Sequence, residues 1–199
     1  MKTLYLGLDP KNYPCKGDLT HYPVIRTERF DCADLQSAEK LWPEFTHVVF
    51  TSQTAVHYWD CDLKGKICIA IGDVTADAVR RKGAVPFIAP KPTQEGVIEF
   101  LSRIDLQGAF LFLPRSRLAR SALTDFLDQS RIRYFALDLY DTLFQKPEPV
   151  PDLNDFDEIV FTSPSTVDGF FKIFGKLPSG KKLIPIGPIT KSALQKNSL

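Results

Sequence analysis

The stretch Val48–Val56, VVFTSQTAV, returns later in the chain as Ile159–Val167, IVFTSPSTV. Each is an apolar run ending in Phe-Thr-Ser. Each is followed by a second apolar run ending in Ile-Gly: Ile69–Ala78, IAIGDVTADA, and Ile184–Ala193, IPIGPITKSA. The repeated unit therefore reads strand, Thr-Ser, helix, strand, Gly-x-x-Thr, helix. Runs of β-branched residues without polar alternation suit strands covered on both faces, as in parallel sheets. Ser52 and Ser163 stand where a helix should begin, and serine is a good N-cap. Pro164 fits the first helical position, where its missing N–H costs nothing. Gly72 and Gly187 allow a sharp turn or a close approach. Thr75 and Thr190 follow three residues later, in or just before the first turn. Two pairs of helix N-termini then lie at the carboxyl ends of parallel strands, where amides and hydroxyls favour an anion and where open α/β sheets place their ligands.

The chain has 199 residues, 44% hydrophobic and 12% aromatic, which is enough for one large or two small packed domains. A net charge of +1 argues against a broad nucleic-acid-binding surface. The four cysteines, Cys15, Cys32, Cys61 and Cys68, form no CxxC pair, and with His21, His47 and His57 they make no zinc spacing. They read as free thiols of a reducing, cytoplasmic compartment. Neither a signal peptide nor a membrane span is expected.

In chain order, Lys2–Leu8 reads as a strand and residues 9–20 as loop. His21–Glu28 is extended, with Pro23 marking an edge or crossing segment. Asp31 is a candidate cap for a helix to Trp42. Strands at Phe45–Thr51, Lys66–Ile71, Pro86–Ala89, Ala109–Leu113 and Arg133–Leu139 alternate with helices at Ser52–Trp59, Asp73–Lys82, from Thr93 to Arg103, and Arg117–Gln129. Leu143–Pro151 is a Pro-rich connector. Then come strand Asp157–Thr162, helix Ser163–Phe174, strand Lys182–Ile186 and helix Ile189–Lys196. The last block has only two strands, too few for a stable sheet, and needs the first strand to complete a core. The expectation is a discontinuous domain, 1–25 and 145–199, with a second domain, 26–144, inserted into it. Two extended segments, Pro23–Glu28 and Leu137–Phe144, cross between them. Ligands often bind between such domains.

FTS-x-x-x-V at 50–56, IGDVTADAV at 71–79, FTSPSTV at 161–167, IGPITKSAL at 186–194 and Tyr140 in ALDLYDT together resemble the uroporphyrinogen-III synthase family over residues 20–195. The resemblance implies two small, parallel, three-layer (flavodoxin-like) α/β domains. The helix such a fold usually carries before Pro23, and a final strand and helix after IGPIT, are missing from the pattern, so the first domain is expected to be trimmed at both ends. It also implies a cofactor-free, metal-free cyclising lyase of haem biosynthesis. Its substrate would be hydroxymethylbilane, a linear tetrapyrrole with an acetate and a propionate on every ring. Loss of water gives an azafulvene cation, attack at the substituted carbon of the terminal pyrrole gives a spiro intermediate, and reclosure inverts that ring. The implied protein is a cytoplasmic monomer, touching hydroxymethylbilane synthase transiently, with no nucleic-acid or membrane partner.

Such chemistry needs carboxylate donors, for which Thr51, Ser52, Gly72, Thr75, Ser163, Gly187 and Thr190 are candidates, with Arg115 from the basic run PRSRLAR. It needs an acid for the departing hydroxyl, for which Tyr140 is a candidate. It needs above all a folded substrate, which is catalysis by positioning. Each residue has a plainer reading: Ser52 and Ser163 as caps, Thr75 and Thr190 as first-turn residues, Tyr140 as a half-buried strand aromatic, Arg115–Arg120 as a solvated helix start. A two-lobed small-anion-binding protein without catalysis is the competing function. A nucleotide-dependent enzyme is disfavoured, because neither GxGxxG nor a Walker lysine motif is present.

Overall fold

The computed structural model describes residues 1–11 and 13–197. The chain divides into two compact units: unit 1, Met1–Arg26 with Thr142–Leu199, and unit 2, Thr27–Asp141.

Unit 2 alternates strand and helix throughout. Its elements are β3 (Ile25–Arg29), α1 (Ala33–Leu41), β4 (His47–Phe50), α2 (Gln53–Tyr58), β5 (Ile67–Ala70), α3 (Asp73–Arg81), β6 (Pro86–Ile88), α4 (Gln94–Leu101), β7 (Phe110–Ser116), α5 (Ala122–Gln129) and β8 (Arg133–Phe144). The six strands lie in the order β3-β8-β7-β4-β5-β6, and β8 through β6 run parallel. Both faces are covered, which explains the missing polar alternation. Val48, Phe50, Phe112 and Leu137 pack with Leu35, Ala38, Ala55, Val56 and Val79 of α1–α3. Val49, Ile69, Leu111 and Leu113 pack with Val97, Leu101, Leu123 and Leu127 of α4 and α5.

Unit 1 holds β1 (Lys2–Tyr5), β2 (Asp18–His21), β9 (Glu158–Phe161), α6 (Pro164–Phe174), β10 (Lys182–Pro185) and α7 (Pro188–Lys196). Its strands are all parallel, in the order β10-β9-β1-β2. That order matches β5-β4-β7-β8 of unit 2, so the repeated sequence is also a repeated piece of sheet. One face packs Leu4, Ile159 and Phe161 against Val167 and Phe170 of α6 and Leu194 of α7. Against the other, the loop after β1 takes the place of a helix: Tyr13 sits on Tyr5 with ring centroids 5.5 Å apart, and Cys15 Sγ donates to Thr3 Oγ1 at 3.4 Å.

Several local expectations change. Residues 18–20, read as loop, belong to β2, whose short polar sequence DLTH hides it: it is an edge strand and largely exposed. His21 ends that strand rather than starting the crossing segment. Asp31 does not cap α1; Cys32 occupies the N-cap and its side chain makes no capping bond. Arg117–Arg120 is not helical. Strand β7 continues to Ser116, a turn follows, and α5 begins only at Ala122. The sequence PRS continues the strand because Arg115 and Ser116 pair with β8 beyond the apolar run.

Candidate active site

The serine-capped and glycine-started helices of the repeat differ in the same way in both units. At α2, Ser52 Oγ accepts from Ala55 N at 3.0 Å. At α6, Ser163 Oγ accepts from Thr166 N at 3.3 Å. The Thr166 hydroxyl in return accepts from Thr162 N and Ser163 N at 3.0 and 3.1 Å. This is a complete capping box, and it leaves those amides satisfied. By contrast, α3 starts at Gly72 and α7 at Gly187, and no side chain caps either. Thr75 and Thr190 both occupy the third helical position there. They are 5% and 3% exposed, yet among the described residues neither hydroxyl has a hydrogen-bond partner. Among the described residues Trp59 Nε1 is the one fully buried side-chain N or O without a partner, so the Thr75 and Thr190 hydroxyls, though on buried residues, still reach solvent. The α7 start carries no acidic residue, whereas α3 carries Asp73. Gly187 has φ +84°, which a side chain would strain. Gly72 is extended at φ −177°, open to any residue, and a Cβ there would press on Pro92 at 3.1 Å.

In unit 2, a hydroxyl cluster stands at the carboxyl ends of β4, β7 and β8. Tyr140 OH lies 2.8 Å from Ser52 Oγ, and its ring centroid is 5.8 Å from that of Tyr58. Tyr140 is 5% exposed, so it is buried rather than half-buried. Burial pushes its phenol above the ordinary value, while hydrogen bonding to Ser52, Thr54 and Ser116 opposes the rise. Because Ser52 Oγ accepts from an amide, its own O–H can donate to Tyr140, leaving the phenol proton free to be given elsewhere.

The basic run is not brought into this cluster. Arg115 lies on the opposite face of the sheet, its Nε donating to Asp138 Oδ1 at 2.9 Å. With Thr51, Gln94 and Arg120 it lines a hollow of about 10 Å³, room for about one water and not for a pyrrole. Arg117 pairs with Asp141 at 3.6 Å and covers the Phe30 ring. Arg120 holds Glu95 in a bidentate pair at 2.7 and 3.0 Å. Thr51, just past the end of β4, thus lines the Arg115 hollow, while its neighbour Ser52 caps α2 and meets Tyr140. Ser116 was missed in the sequence because it lies outside the repeat, and Thr54, which falls inside it opposite Ser165, because only the capping serine beside it was weighed. Among the described residues no group of three or more His, Cys, Asp or Glu could hold a metal ion, and no helix is long and apolar enough to cross a membrane.

Residues 17–199 match the family described as uroporphyrinogen-III synthase HemD. The chain belongs to the uroporphyrinogen-III synthase family. It is 28% identical over 200 residues to a Methanothermobacter thermautotrophicus protein provisionally named uroporphyrinogen-III synthase, covering 89% of this chain and 79% of that one. Two solved structures share the fold. One is the synthase of Helicobacter pylori, at TM-score 0.64 and 16% identity, covering 100% of this chain and 89% of that one. The other is a triple mutant of the Thermus thermophilus synthase, at TM-score 0.63, 17% identity and the same coverage. As a uroporphyrinogen-III synthase family member, the chain is an enzyme of porphyrin biosynthesis acting on a tetrapyrrole.

Proposed function

We infer that this chain closes hydroxymethylbilane to uroporphyrinogen III, inverting the last ring and releasing water, as a cyclising hydro-lyase. The observation that carries the reading is the family match, which spans both copies of the repeat. We place Tyr140 as the acid. Its phenol proton goes to the departing hydroxyl as the C–O bond breaks, leaving water and an azafulvene cation. The substituted carbon of the terminal pyrrole attacks that cation, the spiro intermediate fragments and recloses, and the proton lost on rearomatisation returns to the phenolate. Ser52 supports this role by donating to the phenol oxygen, so that the tyrosine proton points away from the protein network.

Thr190 and Thr75, with the uncapped amides beside them, are the proposed carboxylate donors. Ser163 is proposed to act mainly as a cap, since its partner Thr166 satisfies the neighbouring amides. Arg115, committed to Asp138, is left outside the proposed site. The same reading makes the protein a cytoplasmic monomer that takes its substrate from hydroxymethylbilane synthase.

The test is a coupled assay in which hydroxymethylbilane is generated enzymatically in the presence of this protein and the oxidised products are separated. Type III isomer in excess is the expected result. Type I alone, from folded protein, would overturn the reading and favour non-catalytic anion binding.

A further inference from the structure

Strand β8 pairs with β7 in regular register from Phe110–Arg133 to Arg115–Asp138, and the next pair is Ser116 with Tyr140. One extra residue, Leu139, has been inserted in β8. Up to that point the faces alternate as a pleated strand requires: Phe135, Leu137 and Leu139 turn to the α1–α3 core, Tyr134 and Ala136 to the α4–α5 core. Strict alternation would send Tyr140 with Asp138 to the Arg115 side. It is instead in the same cluster as Leu139. A β-bulge re-aims the side chain that follows it, and here it delivers the phenol to Ser52.

We propose that Ser116 is a positioning residue for the reaction: set opposite this bulge, it holds the Tyr140 hydroxyl on the Ser52 side of the sheet. Three bonds support it. Arg117 N donates to Tyr140 O at 2.9 Å, locking the strands together just past the bulge. Leu118 N donates to Ser116 Oγ at 3.2 Å, fixing that hydroxyl in a tight turn. Ser52 closes the other side at 2.8 Å. As parallel-strand partners, Ser116 and Tyr140 project from the same face of neighbouring strands. The phenol is then bonded by Ser52 and flanked by the Ser116 side chain from the paired strand. The inference deepens the role proposed for Tyr140 and rests on it only for its catalytic consequence.

The experiment is NMR of protein carrying ¹³Cζ-tyrosine, together with steady-state kinetics. The chain has six tyrosines, and Tyr140→Phe identifies the signal that matters. In Ser116→Ala the Tyr140 resonance is expected to shift while the other tyrosines stay put. The kcat should fall about 5- to 10-fold at nearly constant KM, the worth of one hydrogen bond. Ser116→Thr, which keeps the hydroxyl, should restore both, and it also serves if the alanine variant folds poorly. An unmoved Tyr140 resonance in Ser116→Ala, or a Thr variant no better than Ala, would overturn the inference. A moved resonance with unchanged kcat would uphold the positioning and sink Tyr140 as the acid.

Discussion

Ser52 Oγ and Tyr140 OH lie 2.8 Å apart although 88 positions separate them in the chain. The contact joins a helix cap at the end of β4 to the strand that leaves unit 2. Removing the phenolic oxygen alone, in Tyr140→Phe, should lower kcat by about 10²- to 10⁴-fold, the usual range for a positioned acid. Stability should fall by only about 1 kcal/mol, because Ser52 still accepts from Ala55 N. Wild-type kcat in a folded Phe variant would remove Tyr140 from the mechanism.

Burial raises the Tyr140 phenol above its ordinary value of 10.0. An acid with a raised value keeps its proton to higher pH. The alkaline limb of the kcat profile should therefore not begin until above pH 10, as far as the protein remains folded. A limb that begins well below that, and persists in Tyr140→Phe, would belong to another group.

The two serine caps should separate in their effects. Ser163→Ala breaks a capping box whose neighbouring amides are bonded within the protein, so it should cost about 1 kcal/mol. For a chain of this size that is about 2–4 °C in Tm, with turnover unchanged. Ser52→Ala should cost a similar amount of stability and also reduce kcat, because the same oxygen supports Tyr140. Equal kcat losses in both variants would show that capping alone explains them.

Thr190 is 3% exposed and its hydroxyl is unpartnered among the described residues. Thr190→Val keeps the shape and removes no internal bond, so stability should hold to within about 0.5 kcal/mol. A hydrogen bond to a charged group is worth about 1.5–3 kcal/mol, so KM should rise about 10- to 100-fold. An unchanged KM would reduce Thr190 to a first-turn residue.

Arg120 draws the Glu95 carboxyl down to about 2 from 4.5. A depressed value in the folded state means stability that is complete above pH 4.5 and lost as pH falls toward 2. The pair is well exposed, 45% and 56%, so its contribution should stay below about 1 kcal/mol. Urea titrations should find wild type slightly more stable than Glu95→Gln at pH 7, with the gap narrowing below pH 4.5 and closing toward pH 2. A gap that widens in acid would contradict the pairing.

The repeat was legible because it is local. Apolar runs without polar alternation announce strands buried on both faces, and Ser52, Thr93 and Ser163 each cap the helix that their position announces. The alternation Leu137, Asp138, Leu139 followed by apolar Tyr140 was the one written sign of the bulge. β2 was not legible, since an exposed edge strand needs no apolar pattern. Nor was the end of the basic run, because whether Arg115 and Ser116 extend a strand depends on β8 lying beside them.

The amino-acid sequence by itself determined the strand–helix alternation, the two-copy plan and the residues at each helix start, because these depend on neighbours within a few positions. Tertiary structure alone decided which of those starts keeps unsatisfied donors and which face receives Tyr140. Thr166 is consumed by its own cap while Thr190 is not, and Tyr140 meets Ser52 only because one inserted residue turns it across the sheet. Such outcomes rest on register between strands distant in the chain, where a shift of one residue exchanges the two faces.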